Sequence, residues 1–99
     1  MNLEQFEQSL EKSTIPTGLN PALQALWFDA KGDWDASHET VQDDPSAQAS
    51  WIHAYLHRKE GDESNARYWY GRAGKKFPTL TLQEEWRSIA STLLAESTR

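Results

Sequence analysis

The sequence predicts an all-α domain of about six helices, and three observations carry that expectation. Apolar side chains recur at spacings of three and four through most of the 99 residues, as in helices that turn one face to a core. No convincing period-two run occurs, so a sheet is not expected. The pair glycine-aspartate occurs at Gly32-Asp33 and again at Gly61-Asp62, joining a residue suited to a left-handed helix end to one whose carboxylate caps the next helix. The expected architecture is an N-terminal helix, two antiparallel helical hairpins and a C-terminal capping helix, in a single domain covering 1–99.

Helix one is expected from about Asn2 to Lys12, because Asn2 and Gln5 have the form of a capping box and Leu3, Phe6 and Leu10 share a face. Pro16 and Gly18 break the pattern. Helix two begins near Pro21 behind the cap Asn20, carries Leu23, Leu26, Trp27 and Ala30 on its apolar face, and stops at Gly32. Asp33 caps a short helix three with Trp34, Ser37 or His38, and Val41 inward. Asp43-Asp44-Pro45 ends it and starts helix four, with Asp44 as the cap and Pro45 as the first helical residue. Helix four runs to about Glu60 and is apolar nearly all round, as a helix between neighbours should be. Helix five, from Asp62 to Gly74, turns Ala66, Trp69, Tyr70 and Ala73 inward. Thr81 with Glu84 makes a second capping box, and Leu82, Trp86, Ile89, Ala90, Leu93 and Leu94 give helix six the cleanest amphipathic pattern in the chain.

Composition narrows the function classes. The chain has 37% hydrophobic and 25% charged residues with a mean hydropathy of -0.79, ordinary values for a globular protein with a polar surface. Its net charge is -5, and Arg67, Arg72, Lys75 and Lys76 form the only local basic group, so no nucleic-acid stripe is expected. Those cations also suit the C-terminal end of a helix dipole. There is no cysteine, hence no disulfide, no thiolate chemistry and no Cys-ligated zinc. The start, MNLEQFEQSLEK, is acidic and does not read as a signal peptide, and no apolar run is long enough for a membrane span. A cytoplasmic protein without membrane contact is expected.

The two Gly-Asp pairs stand 29 residues apart, and at that offset Leu23 matches Ile52, Ala25 matches Ala54, Trp27 matches Leu56 and Ser37 matches Ala66. A period of this size belongs to stacked hairpins. Ala54, Gly61-Asp62, Ala66, Tyr70, Ala73 and Pro78 follow the order of small, turn, small, aromatic, small and proline positions of the tetratricopeptide repeat. The segment Gly18 to Pro78 resembles that family, and its second hairpin, Ala47 to Pro78, is the better match. The resemblance implies a stack that binds protein segments. It does not imply carboxylate clamping, because helix four presents Trp51, Ile52 and Tyr55 where that role needs basic residues and asparagine. The runs GDWDASH and HAYLHRKEGD also resemble short uncharacterised bacterial proteins, which implies no activity.

Three sets of residues are candidates for function. Tyr68 and Arg72, spaced i, i+4 on the outer side of helix five, and Tyr55 are of the types favoured at interface hot spots. They point to a noncatalytic interaction or scaffold module with a protein or peptide partner, self-association included, and no cofactor. His53 and His57, also i, i+4, share a side of helix four, and His38 lies on a helix expected to pack beside it. These three are either interior histidines hydrogen-bonded to neighbours or a three-His site for zinc or another divalent transition metal, in a metal-binding protein or metal-dependent enzyme, with Asp35, Glu39 or Glu60 near. The five tryptophans with the tyrosines are either core or the lining of a groove for a small ligand or sugar. No GxSxG, HExxH or phosphate-loop motif occurs, so an enzyme is not the preferred reading.

Overall fold

The computed structural model describes residues 1–97, and among these all regular structure is helical. Six helices follow in order: α1 (Leu3–Ser9), α2 (Pro21–Ala30), α3 (Trp34–Val41), α4 (Ala47–Lys59), α5 (Glu63–Ala73) and α6 (Leu82–Ser97). Helices α2 and α3 form one hairpin, α4 and α5 a second, and α6 lies against α4, α2 and α1.

The hairpin corners are built alike. At the first, Gly32 has φ 83° and Gly61 has φ 86° at the second, a left-handed backbone that costs glycine little. The following N–H reaches back five residues in each, Asp33 to Phe28 and Asp62 to His57, both at 2.9 Å. The aspartate carboxylate then accepts from the third residue of the next helix, Ala36 at 3.0 Å and Asn65 at 3.3 Å. One dipeptide thus closes one helix and opens another.

Two boundaries and one buried face differ from the sequence expectation. Helix α1 stops at Ser9, not Lys12, because the N–H groups of Leu10, Glu11 and Lys12 bond to carbonyls three residues back. Lys31 Nζ fixes that tight turn by donating to the carbonyls of Leu10 and Lys12 at 2.7 and 3.1 Å. Helix α4 is capped by Ser46 Oγ, which accepts from Ala49 N, while Asp44 accepts from Ser46 N and shapes the turn before it. On α2 the buried face is shifted: Ala30 is exposed, and Ala22, Ala25 and Asp29 are buried.

Most of the core is one cluster: Phe6, Leu23, Leu26 and Trp27 from the first part of the chain meet Ile52, Leu56, Trp86, Ile89 and Leu93. Trp86 stacks on Phe6 with ring centroids 5.7 Å apart and donates from Nε1 to the Leu26 carbonyl, so its polar edge is satisfied as well as its apolar faces. A smaller cluster of Ala54, Ala66 and Tyr70 lies inside the second hairpin, where small side chains let α4 and α5 approach.

Candidate functional site

The three histidines converge. Ser37 Oγ donates to the Ala25 carbonyl, Trp34 Nε1 donates to the Leu56 carbonyl, and together they hold α3 against its neighbours with His38 facing α4. His53 and His57 come from adjacent turns of α4 with rings 4.8 Å apart, and one ligating nitrogen from each of the three residues lies within 4.8 Å of the others. His38 Nε2 and His53 Nε2 are 3.0 Å apart, so one of them carries a proton and the other a lone pair. His57 Nδ1 lies 2.6 Å from Glu60 Oε1. An ionised carboxylate only accepts, so Nδ1 is the donor of this pair and Nε2 is the nitrogen not engaged by Glu60.

Tryptophans wall the cluster. Trp34 stacks on His38 at 4.8 Å and 8°, and Trp69 stacks on His53 at 4.0 Å and 18°. Burial, then the proximity of His38 and His57, push the His53 imidazole down to about 4. His38 is lowered too, chiefly by burial and next by His57, against the opposing pull of Glu60, Asp35 and Glu39. His53 therefore carries no charge at neutral pH. Among the described residues its Nδ1 is buried without a hydrogen-bond partner, and its Nε2 is the nitrogen that meets His38.

Among the described residues two groupings have metal-ligand geometry: His38, His53 and His57, and a second in which His57 joins Glu60 and Asp62. Of the carboxylates expected near the histidines, Glu60 bonds His57, whereas Asp35 and Glu39 are exposed on α3 and outside both groupings.

The contact residues divide. Tyr68 is 51% exposed, its ring 5.2 Å from that of Trp69, and the Arg72 guanidinium lies 6.0 Å from the Tyr68 ring and 5.4 Å from that of Trp69. Arg67 lies over Phe77 at 4.3 Å and Lys75 over Trp51 at 4.2 Å, so three of the four local cations rest on aromatic rings. Tyr55 is not at this surface. It is buried on α4 and donates to Asp29 Oδ2 at 3.1 Å, while Lys59 holds the other oxygen at 2.9 Å. Burial and then Asp29 push the Tyr55 hydroxyl upward, so it stays a neutral donor. Nor do the five tryptophans share a groove, since Trp27 and Trp86 are buried in the main core.

Sequence reasoning missed a second buried carboxylate. Glu85 sits at 2% exposure among the apolar residues of α6, with Arg58 Nη1 at 2.8 Å and Tyr70 Oη at 2.6 Å. A signal existed: Glu85 adjoins Trp86 and precedes Ile89 by four positions, on the apolar stripe. No protein-family model, curated protein or solved structure matches this chain.

Proposed function

We propose that the protein is a noncatalytic interaction module, two hairpins of the tetratricopeptide kind, whose contact surface is the outer side of α5. The observation that supports it is the arrangement of Tyr68 and Arg72 around Trp69: an exposed ring and a guanidinium held against a half-buried indole. Aromatic and arginine side chains ordered before a partner arrives lose little entropy on binding. Arg67, Lys75 and Lys76 are exposed within a few residues of them in the chain, Arg67 paired with Glu63 at 2.6 Å, a local excess of basic residues on a chain of net charge -5. The partner it fits is an acidic protein segment carrying an aromatic or aliphatic side chain. A cytoplasmic site of action belongs to the same proposal, and the cysteine-free composition suits it. No helix among the described residues is long and apolar enough to cross a membrane.

Fluorescence polarisation with labelled Asp/Glu-rich peptides bearing a central Phe or Leu tests the reading. Saturable binding is expected, weaker at higher salt and reduced at least ~10-fold by Tyr68→Ala combined with Arg72→Ala, the loss of one hot spot. Sedimentation velocity checks the alternative occupant: a dimer abolished by the same pair would make the partner a second copy. Peptide binding that survives both substitutions, with no dimer, would remove this surface from consideration.

A further inference from the structure

We propose that His38, His53 and His57 form a binding site for one divalent transition-metal ion, of the zinc, cobalt, nickel or copper class, between the two hairpins. The donor set decides the class: three imidazoles with no thiolate suit these borderline ions, whereas magnesium and calcium need cages of oxygen.

Geometry supports the assignment at three points. First, metal–nitrogen bonds of about 2.0–2.1 Å in a tetrahedron place ligand nitrogens about 3.3 Å apart. His38 Nε2 and His53 Nε2 already stand 3.0 Å apart, and the widest separation in the trio is within 4.8 Å, so side-chain rotations close the site without moving a helix. Second, the proton on His57 Nδ1 is directed to Glu60, the outer-sphere carboxylate arrangement that orients a metal-bound imidazole and raises its basicity. Third, His53 Nδ1 has no hydrogen-bond partner among the described residues, so no bond there fixes which of its nitrogens is bare. Packing alone gives no reason for three polar rings to meet where Leu or Phe would fill the space.

The surroundings complete the site. Trp34 and Trp69 close two sides against water, and the carboxylates of Glu60 and Asp62 near His57 offset the charge of a dication. His38 and His57 are half-buried, so an ion has a path inward, and solvent supplies the fourth ligand.

The experiment uses full-length protein made without a histidine tag and stripped with chelator. Titration with Co2+ should give one equivalent of saturable binding with the intense visible absorption of a four-coordinate ion, displaced by Zn2+. His57→Gln and His38→Gln, both at half-buried positions, should each weaken binding at least ~10-fold, and Glu60→Gln should weaken it ~10- to 100-fold as outer-sphere substitutions do. Circular dichroism of each variant confirms that it is folded. The proposal is overturned if folded wild-type protein shows no stoichiometric Co2+ or Zn2+ uptake, or if His38→Gln and His57→Gln together leave affinity and absorption unchanged.

Discussion

Tyr70 on α5 donates a 2.6 Å hydrogen bond to Glu85 on α6, a carboxylate that is 2% exposed. Arg58 on α4 holds the other oxygen at 2.8 Å and also donates to the Leu80 carbonyl just before α6. One buried negative charge thereby joins the second hairpin to the capping helix. Removing a partner strands that charge: Arg58→Leu is expected to cost about 3–5 kcal/mol, as for a broken buried ion pair. Tyr70→Phe removes one hydrogen bond and should cost about 1–2 kcal/mol. Urea denaturation of the two variants measures both, and the prediction fails if Arg58→Leu is no more damaging than Tyr70→Phe.

The elements that the sequence made legible are those specified by neighbouring residues. Gly61-Asp62 contains the left-handed corner and the cap of α5 within two positions, so local chemistry suffices to place it. The i, i+4 spacing likewise puts His53 and His57 together. Their meeting with His38 depends on how one hairpin rotates against the other, which is set by the packing of Trp34 and Ser37 and has no local code. Glu85 and Asp29 escaped for another reason: a periodic pattern treats charged residues as surface, and only the arrangement of Arg58, Tyr70, Tyr55 and Lys59 shows why these two are inside.

In metal-free protein, stability should fall on mild acidification. His53 has an ordinary value of 6.5 in the unfolded chain and about 4 in the fold, so between those values the unfolded state binds more protons. Its contribution is fully present above about pH 6.5, is lost progressively as pH drops to 4, and changes no further below; the whole is on the order of 3 kcal/mol. His38, lowered as well, acts in the same direction. The groups facing His53 are His38 from α3, His57 on its own helix and Trp69 from α5, none of them a carboxylate. Glu60, Asp35 and Glu39 act on His38. Urea midpoints in chelator between pH 7.5 and 4, compared with those of His53→Gln, isolate the effect: the variant should show a visibly flatter profile, and an equally steep one would be evidence against it.

Trp69 and Tyr68 are adjacent in sequence and opposite in role. Trp69 rests on the His53 ring at 4.0 Å, whereas Tyr68 is 51% exposed and its hydroxyl accepts along the surface from Arg72 Nη1 at 3.2 Å. Trp69→Ala should therefore lower stability by about 2–3 kcal/mol, less than a fully buried aromatic because one edge is in water. Tyr68→Ala should stay within about 0.5 kcal/mol of wild type. Thermal unfolding followed by circular dichroism distinguishes them, and a Tyr68→Ala loss as large as that of Trp69→Ala would mean that the outer ring is structural.

Two glycines on the second hairpin should answer alanine with opposite signs. Beyond the local backbone, neither has a described atom within 4 Å of the position that a Cβ would take, so space decides nothing at either. Gly61 has φ 86°, where an alanine is strained by about 1–2 kcal/mol. Gly71 lies inside α5 with no such backbone, and there alanine removes conformational freedom from the unfolded chain and favours helix by about 0.5–1 kcal/mol. Gly61→Ala should thus unfold at lower urea than wild type, and Gly71→Ala at higher urea. If Gly61→Ala proved neutral, the corner would have relaxed into another turn, and the cap that Asp62 gives to Asn65 would be the next bond to examine by amide hydrogen exchange at Asn65.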